Sequence, residues 1–293
     1  MRLFLINIIK FGLIVFLLAQ LFGFGSLYLL RKSAFYKPSF LANQVIDKEF
    51  DYIILGSSTG LTTLNSLQID SITGLSGINL SMDDTSMGSH YLMLEHFFGL
   101  QKKTRYCVLT ISDFNMDKEN SEMSGNDYRF LPFISESYVY DYYKTYEKGF
   151  IKPLVHSKYF PLLGVGYYNA EIFYPSIMSL FQREKRNRFD NKGNYKFPNT
   201  NLNIDREFKD VSFDVKNPFF EKIKSLCEQN NVELIVYQPP IFKRRSYTLD
   251  SIKNFINHSN ILKGKQYFVD FLHVNEEGRE KATEALANVL KSI

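Results

Sequence analysis

The twenty residues from Phe11 to Leu30, FGLIVFLLAQLFGFGSLYLL, carry no charge, and Gln20 is their strongest polar interruption. A helix needs about 20 mostly apolar residues to cross the hydrocarbon core of a bilayer, and this run meets that length. A second apolar stretch, Leu3 to Ile9, precedes it and is broken by Lys10; Arg31, Lys32 and Lys37 follow. A segment apolar on every side does not suit a helix lying on a soluble core. The rival is a cleaved secretion signal, whose apolar part is shorter and ends in a small-x-small site. Here the run ends Leu29-Leu30-Arg31-Lys32, without such a site. Residues 1–32 are therefore expected to be an uncleaved transmembrane anchor touching lipid through residues 11–30. Basic residues stand on both sides of it, so charge does not orient it.

The mean hydropathy of −0.19 conceals this segment by averaging it with a polar remainder. Hydrophobic residues are 45% and charged residues 23% of the 293, a globular mix. The net charge of +4 gives no concentrated basic face, which argues against a nucleic-acid partner. Two cysteines, Cys107 and Cys227, make neither a disulfide framework nor a four-thiolate zinc site.

Beyond the anchor, residues 33–50 read as a linker, and residues 51–293 as one α/β domain. Short apolar runs predict buried strands at Asp51–Leu55, Gly77–Leu80, Tyr106–Ile111, Val232–Tyr237 and Gln266–Val269. Helices are predicted between them, at Thr59–Leu67 and Ser86–Leu100. A further helix is expected after Asn217-Pro218, a cap followed by a residue suited to the first helical position. The last runs from about Glu276 to Leu290, with Ala282, Ala285, Leu286, Val289 and Leu290 on one face. Strands alternating with helices imply right-handed crossovers and a parallel sheet of five strands. From about 115 to 214 the alternation is lost in a Tyr- and Phe-rich stretch, read as a large insertion. Its aromatics are expected to form the insertion's own core, with a sugar-stacking cleft as the alternative.

Ligands of open parallel sheets sit beyond the carboxyl ends of the strands. The first strand ends in Gly56-Ser57-Ser58-Thr59-Gly60, where glycines permit a sharp exit and a helix begins. A serine there exposes its hydroxyl near helix N-terminal amides, which stabilise an oxyanion. A plain turn with serine as helix cap is the alternative, and the spacing is not that of a Walker phosphate loop. The last strand leads into Asp270-Phe271-Leu272-His273. Three residues apart on one turn, the carboxylate can hold one imidazole nitrogen while the other faces outward, the arrangement a general base needs.

A serine after the first strand and an Asp-x-x-His after the last resemble the SGNH (GDSL-type) hydrolase superfamily. The resemblance implies a three-layer, flavodoxin-like sheet, with Ser58 as nucleophile, His273 as base and Asp270 as its orienting acid. Ser57 takes the place of the aspartate of the namesake motif. In Gly77-Ile78-Asn79-Leu80-Ser81, Ser81 stands where the family has its oxyanion-hole glycine, so its backbone amide is the expected donor. The third block is normally Gly-x-Asn-Asp; here Thr110-Ile111-Ser112-Asp113-Phe114-Asn115 offers Asn115. Ser57, Asn79 and Arg244 are the candidate substrate contacts. One missing oxyanion donor costs about 100- to 1,000-fold in rate, so an inactive relative is the alternative.

With an N-terminal anchor, the layout looks like membrane-anchored SGNH-like proteins of teichoic-acid D-alanylation and exopolysaccharide O-acetylation. That implies a single-pass protein of the inner (plasma) membrane with its globular part outside the cytoplasm, on the periplasmic side. The implied activity is esterase or O-acyltransferase chemistry on a cell-surface polysaccharide or other acylated glycan. A multipass membrane O-acyltransferase is the implied partner, and no metal or organic cofactor is required. The alternative is a non-catalytic accessory or glycan-binding protein with the same fold.

Other signals carry less. Asp113-x-Asn115-x-Asp117 starts like a calcium loop but has Lys118 where glycine is required. His90, His96, His156 and His258 show no metal-ligand spacing. The basic run from Arg183 to Lys196 reads as a solvated loop, with anionic lipid or polymer contact as the alternative. Lys243-Arg244-Arg245 follows the fourth strand and suits either an acidic substrate or an exposed loop.

Overall fold

The computed structural model describes residues 1–112, 116, 122–197, 209–243, 245–248 and 252–292. Contacts within the chain divide it into two units, residues 1–45 with 127–187 and residues 46–126 with 188–293.

The second unit is built on an all-parallel sheet. Its strands are β1 (Glu49–Leu55), β2 (Gly77–Asn79), β3 (Lys103–Thr110), β5 (Glu233–Gln238) and β7 (Phe255–Asn257), in the order β2-β1-β3-β5-β7. A separate parallel pair joins β4 (Val211–Phe213) to β6 (Ser246–Thr248). The central strands are buried along most of their length, as near-continuous apolar runs such as YIIL and CVLT require. On one sheet face, Tyr52, Ile54, Val108, Ile235 and Tyr237 pack against Leu64, Ile69 and the buried side of the last helix. That helix, Glu276–Leu290, lies against Ser66–Thr73, while Met87–Gly99 lies against Pro218–Gln229. At the start of Pro218–Gln229, Asn217 accepts from the Phe219 amide at 3.0 Å, and Phe219, Phe220, Ile223 and Cys227 turn inward while Leu226 is half-buried.

Two expectations need correction. The fifth strand is not Gln266–Val269. There the chain forms a short 3-10 turn, Lys265–Tyr267, and Phe268 makes one antiparallel bridge with Val274. Asn275 causes this: its side chain donates to the Gln266 carbonyl and accepts from the Gly278 amide, so the segment is drawn into the cap of the last helix. The edge is taken by the three-residue β7 instead. The predicted helix at Thr59–Leu67 is two helices, Ser58–Thr63 and Ser66–Thr73, parted at Leu64-Asn65, where Asn65 caps the second.

In the first unit, Arg2–Arg31 is a single helix, long and apolar enough by composition to cross a membrane. Its residues 2–18 are exposed, whereas Gly23, Ser26, Leu27 and Leu30 are buried. The stretch expected as a linker is partly ordered into the helix Lys37–Asn43, begun by Pro38, with Phe40 and Leu41 buried. Asp127 accepts from Tyr142 at 2.8 Å through its carboxylate and from Tyr143 at 2.7 Å through its carbonyl. Glu147 caps Leu154 and Val155. Of the aromatic stretch, Tyr128, Phe130, Phe133, Tyr142 and Tyr143 are buried, whereas Tyr159, Tyr167, Tyr174 and Phe181 are exposed.

Candidate active site

The carboxyl ends of β1, β2 and β3 converge tightly. The Leu80 amide donates to the Ile54 carbonyl and Met82 to Gly56. Thr110, at the end of β3, donates its hydroxyl to the Leu55 carbonyl at 3.1 Å. A Cβ on Gly56 would lie 1.7 Å from Thr110 Oγ1, and one on Gly60 would lie 2.3 Å from it and 2.7 Å from Ser81 Oγ. Neither glycine has a positive φ. Glycine is needed at these positions for close approach, not for the sharp turn the sequence suggested. The effect is to seat the first turn of Ser58–Thr63 on the sheet end, with Ser57 as its N-cap and no side chain capping its first amides.

The last helix brings the other half of the site. Its Thr283 donates to the Thr63 carbonyl at 3.1 Å and accepts from the Asn65 amide at 3.2 Å. These bonds hold the turn before the helix beside Ser58, 215 residues away in sequence. There, His273 Nε2 lies 2.8 Å from Ser58 Oγ, and His273 Nδ1 lies 2.8 Å from Asp270 Oδ2. Asp270 Oδ1 accepts from the amides of Leu272 and His273, each at 2.8 Å. Ser58 and the Asp270–His273 pair, read as two signals in the sequence, are therefore in one hydrogen-bonded chain.

The charge state of Asp270 sets the direction of that chain. Partial burial pushes its carboxyl up, but the His273 ring bond, the two backbone amides and the imidazole charge outweigh this and hold it below the usual aspartate value of 3.8. At neutral pH it is a carboxylate and can only accept. Nδ1 must then donate, and Nε2 stands where it can accept from the serine hydroxyl, the polarity needed to take its proton. The Asp270 side chain is 44% exposed and that of His273 17%. The carboxylate is thus partly solvated, and its pull on the imidazole is screened accordingly.

The remaining candidates separate. Ser57 is half-buried, with its hydroxyl 3.3 Å from Thr59 Oγ1. Asn79, a candidate substrate contact, lies beneath the surface. It is fully buried, donates to the carbonyls of Gly60 and Leu64, and accepts from the Ser81 amide at 3.0 Å. The Ser81 amide, the expected oxyanion donor, thus donates to Asn79 in this structure. The helix Ser58–Thr63 opens at Ser58, and its N-cap Ser57 makes no side-chain bond to its first amides. Asn115 and Arg244 lie outside the described residues.

One neighbour was not foreseen. The ring of Phe197 sits 4.9 Å from that of His273, inclined at 59°, and covers part of the imidazole. Lys196 beside it pairs with Glu276 at 2.8 Å. Nothing local marks Phe197, since its partner His273 lies far along the chain.

His90 is buried and pushed down to about 3 by desolvation, so it is neutral and part of the core. Among the described residues, no group of three or more His, Cys, Asp or Glu side chains is placed to hold a metal ion.

No protein-family model matches this sequence, and neither does any curated protein.

Proposed function

We propose that this chain is a membrane-anchored serine esterase or O-acyltransferase of the SGNH type, acting on acyl esters of a cell-surface polysaccharide. The observation that carries the reading is the Ser58–His273–Asp270 chain, with both links at 2.8 Å. Ser58 Oγ attacks the acyl carbonyl as His273 Nε2 takes its proton. The oxyanion meets the opening amides of Ser58–Thr63. His273 then returns the proton to the departing sugar oxygen, leaving an acyl-serine. Attack by water completes hydrolysis; attack by a second sugar hydroxyl completes transfer.

The sheet supports the family reading. In chain order its strands lie second, first, third, fourth, fifth, the flavodoxin-like arrangement. The site occupies the carboxyl ends of the strands around β1, where that order reverses. The apolar helix Arg2–Arg31 supports an anchor, and a cell-surface substrate puts the second unit outside the cytoplasm. A multipass membrane acyltransferase would then supply the acyl group.

One observation favours a second reading. The Ser81 amide, a family oxyanion donor, is already bonded to Asn79. A protein with that donor lost could serve as a glycan-binding accessory. Incubating the full-length protein in detergent with acetylated oligosaccharides, with and without an acceptor glycan, separates the two. Acetate release or transfer that disappears in Ser58→Ala supports the enzyme. Saturable glycan binding with no turnover, unchanged in Ser58→Ala, would replace it with the accessory reading.

A further inference from the structure

The helices Pro161–Tyr167 and Asn169–Phe181 both pack along the C-terminal half of Arg2–Arg31. Phe16 meets Phe160 with ring centroids 6.3 Å apart, and Phe22 meets Phe173 at 5.1 Å. Gly23 lets the backbones touch: a Cβ there would lie 2.6 Å from the Leu162 nitrogen. Glycine at a close helix contact is the usual device where lipid, not water, is the solvent.

The sides turned away from Arg2–Arg31 are apolar as well. Leu163, Tyr174, Ile177, Leu180 and Phe181 are all exposed, and Glu171 is the one charged residue of Asn169–Phe181. A helix apolar on both faces, with one face already packed, is out of place in water. Phe16 and Phe160 are each about half exposed, so the apolar surface of the two helices continues that of the first one.

Four basic residues sit at one level, and Lys158, near Phe160, is set over the Tyr140 ring. The Ala34 amide donates to the Arg183 carbonyl at 2.8 Å, which places the exposed Arg183 and Lys185 at the same end as Arg31 and Lys32. That is where anionic headgroups would meet them. At about 1.5 Å per residue, Phe16 lies roughly 22 Å below Arg31, deeper than half of a hydrocarbon core of about 30 Å. The same rise puts Lys10 near the opposite surface.

We propose that Pro161–Tyr167 and Asn169–Phe181 lie within the bilayer beside Arg2–Arg31, so that lipid covers their exposed faces and three helices hold the protein in the membrane. The inference rests on reading Arg2–Arg31 as a membrane helix, and the test separates the two.

Full-length protein carrying single substitutions Leu13→Cys, Leu163→Cys, Leu180→Cys or Leu67→Cys is spin-labelled and reconstituted in vesicles of phosphatidylcholine and phosphatidylglycerol. The native cysteines are both buried, and all four positions are exposed, so labelling is selective and folding is spared. Collision with oxygen is compared with collision with a water-soluble nickel chelate. The expected result is a depth parameter at 163 and 180 of the same sign as at 13 and opposite to that at 67. Labels at 163 and 180 that behave like 67, while 13 remains in lipid, overturn the inference and spare the anchor. A label at 13 that also reports water overturns both.

Discussion

Two polar turns at the carboxyl end of the same sheet, Asn79–Ser81 and Asp270–His273, look equally reactive in sequence and differ entirely in what they do. Asn79 directs all its polar atoms inward, to Gly60, Leu64 and Ser81. It builds the floor under Ser58. Asp270 likewise engages two backbone amides, but its second oxygen is kept for His273, whose outer nitrogen meets Ser58. The two turns thus differ in whether one polar atom of a well-bonded group is left facing another side chain.

The sharpest way to break this comparison is Ser58→Ala. It removes the group the outer turn faces without touching the inner one. Ester turnover should fall by about 1,000-fold or more, with thermal stability essentially unchanged; a large loss of stability would mean that Ser58 belongs to the floor.

Asp270→Asn comes next. An amide cannot hold the Nδ1–H tautomer in the same way, and turnover should fall by roughly 100- to 10,000-fold, the upper figure applying to a buried acid. The pH dependence has a definite sign. A carboxyl held below 3.8 in the folded state favours folding above that value, and the contribution is lost as pH falls through the lowered one. The stability difference between wild type and Asp270→Asn, followed by acid unfolding, should be flat near neutrality and shrink below pH 3.8.

Asn79→Ala tests the inner turn. It leaves the Ser81 amide and the Gly60 and Leu64 carbonyls without their partner in a buried place, at a cost of about 2–3 kcal/mol. Denaturant unfolding should show that loss. Turnover, measured well below the melting transition, should fall far less than in Ser58→Ala. Asn275→Ala should have the smallest effect, about 1 kcal/mol, as a lost helix cap.

The parts of this design legible in sequence were the local ones. Asp-x-x-His on one turn, the glycine-serine exit from β1 and the cap at Asn217-Pro218 each depend on neighbours within a few residues, and each lies where its pattern predicts. Partnerships set by tertiary contact were not legible. The aromatic and β-branched residues of Gln266–Val269 favour a strand, yet the Asn275 side chain draws that segment into a helix cap. Asn79 reads as a polar residue at a ligand-binding edge, and only the approach of Gly60 and Leu64 shows that its amide is consumed. The three-residue β7 is too short to leave a pattern. In the first unit, the Tyr36-Lys37-Pro38 signal for a helix start was present, but a short apolar segment after an anchor is easily read as a tether.

The central claim is that Ser58 is an activated nucleophile. Full-length protein treated with a fluorophosphonate probe, digested and mapped by mass spectrometry tests it directly. The account predicts one adduct, on Ser58, absent in Ser58→Ala and in protein unfolded before labelling. Folded protein that takes no adduct, or takes it on another serine, would contradict it.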